Sequence, residues 1–228
     1  MRGAILAWIG AAVMTCAAPA LAQLERITRQ EAASGLKAAL EKGSQAAVAS
    51  LGRTDGFFGN PQVKIPLPES AQRAEKLMRR FGMGKQADEV ILAMNRAAEA
   101  AVPEARQLFI DAVRKMTVQD AKGILQGGET AGTEYFRRRT ETPLRARFLP
   151  IVKKATAKVD LAQRYNEYAE KGVAFGLVKK EDANLDAYVA QKALDGLFFM
   201  VAEEEKRIRK DPLGEGTSII RKVFGALR

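Results

Sequence analysis

Near the C-terminus, Ala193-Leu-Asp-Gly-Leu-Phe-Phe-Met-Val-Ala202 places apolar side chains on nearly every side of a helix. At 3.6 residues per turn such a segment has almost no polar face to give to water, so it must be the buried spine of a larger assembly. The rest of the chain must cover it, and its pattern is helical almost throughout. Thr28-x-x-Glu31 is a capping box ahead of Leu36, Leu40, Ala47 and Leu51 at loose helical spacing, with Gly43 weakening the middle. Ala74, Leu77, Met78 and Phe81 give the apolar face of a helix from about Ser70 to Phe81, and Gly82 stops it. A longer helix starts near Gln86, reaches Val102, is kinked or restarted by Pro103 and continues to Met116. Thr117-x-x-Asp120 caps a short helix that ends at Gly127-Gly128. A helix over about 131–139 follows. Thr142-Pro143 then reads as the N-cap and first residue of another, which Pro150 interrupts. Asp160 and Asp182 can cap two further segments, reaching about Lys171 and Arg209. Ile219, Ile220, Val223, Phe224 and Leu227 line one face of a C-terminal helix. The exception is Gly52 to Pro68, rich in Gly and Pro, where only Val63-Lys64-Ile65 suits an extended run. The expected fold is all-α, a single compact bundle of about seven to nine helices with one long Gly/Pro-rich loop near its N-terminus.

The first 22 residues have the three parts of an export signal: Arg2, an apolar run from Ala4 to Ala18, and the small-x-small triplet Ala20-Leu21-Ala22. Cleavage after Ala22 would leave residues 23–228 as one domain, periplasmic or secreted. The apolar run is short for a bilayer span, and no later segment approaches one. Cys16 supports a rival reading, a lipoprotein anchored through that residue, although Thr15 is a poor fit for the position before a lipidated cysteine. The sequence has one cysteine and no histidine, so loss of the leader removes the only thiol.

That composition excludes much chemistry. There is no histidine for a Ser-His-Asp triad or a His-containing metal site, and the exported chain has no thiolate. Gly82-Met-Gly-Lys85 lacks the spacing of a phosphate loop. No catalytic residue, metal ligand or cofactor is assigned. The formal charge of +10 suits anionic lipid head groups or other polyanions of an envelope, or serves solubility alone; nucleic acid is not expected as a partner.

Four constellations remain. Asp88, Leu92, Asn95, Glu99 and Val102 share a stripe, with Arg96 beside it, as a polar groove lining or a solvated helix face. On the spine, Asp195, Glu203 and Glu204 continue apolar faces, so at least one of them should be partly buried, with Arg96 and the run Arg137-Arg138-Arg139 as candidate partners. Asn95, Arg96, Glu99, Arg137, Asp195 and Glu203 are thus the candidates for a polar or ion-pair network. Gly127-Gly128 ahead of Thr130 and Thr133 forms an anion-accepting helix start or an ordinary pair of caps. Phe57 and Phe58 in the long loop are candidates for a lid or partner contact, or plug the end of the bundle. The C-terminal amphipathic helix either docks on its own domain or touches an anionic membrane surface.

Several stretches resemble a known bacterial family, domain-of-unknown-function family 4197. They are D-G-F-F-G-N-P-Q-V-K-I-P-L-P at 55–68, M-N-R-A-A-E at 94–99, M-T-V-Q-D-A-K-G-I-L at 116–125 and Y-F at 135–136. F-L-P-I-V-K-K-A at 148–155, A-L-D-G-L-F at 193–198 and E-E-E-K-R-I-R-K-D-P at 203–212 continue the series. Gly132 stands where the family pattern has alanine. The resemblance implies an exported, mostly helical protein and no established activity. The expected function is a non-enzymatic binding or structural module for an envelope partner or anionic component. A carrier of an apolar small molecule or lipid, and a carboxylate-dependent hydrolase or hard-cation site, are the alternatives.

Overall fold

The computed structural model describes residues 28–82, 84–159, 183–215 and 217–225, with positions 165, 166 and 173. The leader, its cleavage after Ala22, Cys16, the caps at Asp160 and Asp182, and Leu227 lie outside the described residues. Those residues are helical apart from turns and the long loop, and none forms a strand.

Helix α1 spans Arg29–Leu51. The Thr28 hydroxyl accepts from the Glu31 amide at 3.1 Å, and the Glu31 carboxylate accepts from the Thr28 amide at 2.9 Å, so the capping box is complete. After the loop come α2, Glu69–Arg80, and α3, Gly84–Ala101. Gly82 between them has φ +76°, a left-handed turn that glycine makes without strain. A 3-10 turn over Val102–Glu104 absorbs Pro103 and leads into α4, Ala105–Arg114. Helix α5, Val118–Gln126, starts at a second capping box, Thr117 with Asp120. Helix α6 is Ala131–Thr156 and α7 is Leu185–Lys210. A single turn α8, Pro212–Glu215, leads to α9, Ser218–Gly225.

The spine is α7, which packs against α1, α3 and α6. Leu194, Leu197, Phe198 and Val201 are buried in the shared core, where Phe109 meets Phe136 at 4.7 Å and Phe198 edge-on at 6.1 Å. Such tilted and edge contacts suit the ring quadrupoles. One edge of the spine stays open, contrary to its all-round apolar pattern: Lys192 and Phe199 are exposed and Asp195 is half-buried. Helix α9 docks on α1, burying Ile220, Val223 and Phe224, and Lys222 reaches Glu31 at 2.6 Å.

Three local expectations need correction. Helix α6 does not break at Thr142-Pro143 or Pro150 but runs through both prolines. Phe136, Thr140, Leu144, Phe148 and Val152, at steps of four, face the core, while Pro143 and Pro150 are exposed. Each proline lacks an amide donor, but the carbonyls left without it, on Arg139 and Ala146, belong to exposed residues on the wet side. The N-cap of α7 is Asn184, whose side chain accepts from the Ala187 amide at 2.9 Å. Leu77 and Phe81 do not join the core; they are 53% and 76% exposed. No helix among the described residues is long and apolar enough to cross a membrane.

Candidate functional site

Turns within the loop of residues 52–68 satisfy part of its backbone, and α3 ties it down with two side chains one helical turn apart. At Asp55 the chain takes a left-handed conformation, φ 63°, which a short polar side chain tolerates. The turn aims the next amides inward. Phe57 and Phe58 both donate to Glu99 Oε1, at 3.0 and 3.1 Å. Two successive amides around one oxygen form a small anion nest. Arg96 closes it, giving one nitrogen to Glu99 Oε2 at 2.6 Å and another to Asp55 at 2.7 Å. Both carboxylates favour the charged guanidinium, Glu99 first, and raise its pKa above the ordinary value.

Asn95 holds the far end of the loop. Its Oδ1 accepts from the Ile65 amide at 2.8 Å, and its Nδ2 donates to the Ile65 carbonyl at 2.9 Å and to Ile91 at 2.8 Å. Asn95 is fully buried and Glu99 nearly so. The stripe is therefore not the solvated helix face that one reading of the sequence allowed; its exposed members are Asp88 and Leu92. Phe57 is fully buried. A Cβ on Gly196 would lie 2.7 Å from the Phe57 ring and 3.3 Å from Val63, so the missing side chain admits the ring against α7. Phe58 is half-buried, with Lys64 Nζ 4.1 Å from its ring centre and Arg96 at 5.9 Å.

Grooves flank the braced loop. One, of about 590 Å³, lies between Val63–Pro66 and the open edge of α7, with Tyr188, Lys192, Asp195 and Phe199 on its wall. The other, of about 600 Å³, lies between the loop and α2–α3, with Phe58, Leu67, Lys76, Arg79 and Asp88 around it. Lys64 and Pro66 border both. Arg79 is tied to Glu75 at 2.8 Å and Asp88 at 2.6 Å, and the guanidinium holds the Asp88 carboxyl below the usual range.

The remaining candidates do not join this network. Arg137 stacks over Phe198 at 4.5 Å and stands 3.8 Å from Glu141 and 4.0 Å from Asp195, whose Oδ1 also accepts from Gln191. Glu203 pairs with Lys206 at 2.9 Å at the surface, and Glu204 pairs with Arg207. Asp186, in the first turn of the spine, is buried and accepts from the Thr156 hydroxyl. The buried carboxylate of its C-terminal half is Glu205. It accepts from the Gly132 and Thr133 amides at 2.9 and 2.8 Å and from the Thr133 hydroxyl at 2.8 Å. Arg209, one turn on, donates to it at 2.9 Å. The start of α6 thus does receive an anion, but the anion comes from the protein's own spine. Gly132 makes room for it: a Cβ there would run into the Leu40 side chain and come within 3.0 Å of Glu205.

The family model described as protein of unknown function (DUF4197) matches residues 26–225. The chain belongs to that family. No curated protein and no solved structure matches it. In this DUF4197 protein, the loop, the α3 segment that clamps it and the C-terminal half of α7 are among the stretches that carried the resemblance. Glu205 was missed because three adjacent glutamates look alike. The signal was its register: 194, 198, 201, 205 and 208 follow one another at steps of three and four, and all five are buried.

Proposed function

We propose that this DUF4197 protein is an exported, non-enzymatic binding module whose contact surface for an envelope partner or anionic envelope component is the braced loop 52–68. One observation carries the reading. An irregular segment is fixed at both ends by buried side chains of α3, and its middle stands between two grooves with Lys64 on the rim of each. Rigid presentation of a loop lowers the ordering cost of association. The buried carboxylates Glu99 and Glu205 are engaged by donors of their own chain, which supports a positioning role over an acid/base or cation-binding one. Phe57 against Gly196 and Val63 supports a plug over a gate to an apolar cavity.

A photo-crosslinking residue placed at Gln62, which is exposed on the loop, tests this in producing cells. A discrete adduct from Gln62, lost in Lys64→Glu and absent from a probe at exposed Gln126, is the expected result. Equal labelling from both positions, or none from Gln62, would overturn the reading.

A further inference from the structure

Helix α2 is the least covered long helix in its surroundings, packing on α3 and turning away from the spine. Its two faces differ in kind. On the α3 side, Arg79 gathers Glu75 and Asp88 into a closed charge cluster. On the outer side, Leu77 follows Arg73 by four residues, Arg80 and Phe81 follow Leu77 by three and four, and all four are exposed. Lys76 is exposed at the edge between this face and the groove beside the loop, whose rim it shares. Phe81 is the most exposed large apolar side chain among the described residues, with Leu77 next. One turn apart on the same side, Leu77 and Phe81 form a small contiguous apolar patch rather than isolated exposed side chains.

We propose that the outer face of α2 is a peripheral membrane contact that inserts Phe81 and Leu77 into an anionic lipid surface while Arg73, Lys76 and Arg80 meet the lipid phosphates. Charge complementarity selects this occupant. The apolar pair is flanked by three cations. Of the carboxylates on the α2–α3 hairpin, Glu75 and Asp88 are taken by Arg79, Glu69 lies two turns away at the other end of α2, and Glu89 faces the groove beside Leu92 and Arg96. A protein groove would cover the apolar pair but leave three flanking cations to find carboxylates. A sheet of lipid phosphates above an acyl boundary supplies both needs at once. Two apolar side chains give reversible docking, so the cations must contribute most of the affinity, and binding must weaken with salt. The overall charge of +10 adds attraction at longer range. The contact rests on the export reading only for where the lipid would be met; the binding itself is a property of the purified chain.

Co-sedimentation with vesicles of phosphatidylcholine, alone or mixed with phosphatidylglycerol, tests it on the purified chain. Binding to the mixed vesicles only, and falling with added salt, is expected. Lys76→Glu with Arg80→Glu should lower the partition by at least about tenfold. Leu77→Ser with Phe81→Ser should lower it by about tenfold while leaving the unfolding midpoint in place, since neither side chain is in the core. In Phe81→Trp, the added tryptophan emission should shift to the blue on the mixed vesicles. Equal binding to both vesicle types, or binding unchanged by both double substitutions, would overturn the proposal. So would a concentration-dependent dimer abolished by Leu77→Ser with Phe81→Ser in a chain that ignores vesicles. Vesicle failure with a Gln62 adduct intact would sink the lipid contact alone; loss of the adduct with vesicle binding intact would sink the loop reading alone.

Discussion

At Glu99 one carboxylate oxygen receives two consecutive loop amides while the other takes Arg96. Removing a buried charge partner leaves the rest desolvated and unpaired, which typically costs about 3–5 kcal/mol. Glu99→Ala should therefore lower the urea unfolding free energy by about that amount, and Glu99→Gln, which keeps one acceptor, by about 1–3 kcal/mol. The surface pair of Glu31 with Lys222 tests a different kind of tie. The Lys222 ammonium, then the Thr28 amide, lowers the Glu31 pKa from 4.5 to about 2. A depressed carboxylate contributes stability that is present above its unfolded value and lost as pH falls through the folded one. The docking of α9 should thus loosen between about pH 4.5 and 2, read as a falling protection factor of the Val223 amide against its intrinsic exchange rate at each pH, and Glu31→Gln should abolish that dependence. The spacing of Asn95 and Glu99 was legible in the sequence. Their partners were not, because a helical period says which residues share a face and nothing about which loop lands on it.

Capping boxes marked the starts of α1 and α5 in the sequence, and Gly82 and Gly127 the stops of α2 and α5, since those signals are local. Helix α6 shows where local rules fail. Proline is costly inside a helix, so the sequence suggested breaks at Pro143 and Pro150, but a core-facing row from Phe136 to Val152 keeps the helix continuous. If the prolines are tolerated only because they lie on the wet side, Pro143→Ala should raise stability by up to about 3 kcal/mol, as a higher urea midpoint at unchanged slope. A lower midpoint would mean that the packing depends on the proline. Helix α2 carries the opposite lesson. Its apolar period implied an inward face, but the hairpin with α3 turns Leu77 and Phe81 outward, and period alone does not say which way a face looks.

At the scale of the whole molecule, an apolar core and the buried carboxylates of Glu99, Asp186 and Glu205 hold the described helices in register. Glu99 ties the loop to α3, and Glu205 ties α7 to the start of α6. The all-helical class and the buried middle of α7 were readable from composition and period, because burial of a large apolar surface dominates the choice of architecture. The pairing of particular carboxylates with particular amides depends on distant segments meeting, and no local pattern encodes it. The rigid loop is the feature on which the functional reading depends. Amide hydrogen exchange at Phe57, Phe58 and Ile65 measures it directly: the expected result is protection comparable to the interior of α7, all three being lost only on global unfolding. Exchange of these amides at rates near those of an unstructured peptide, while the α7 interior stays protected, would contradict it.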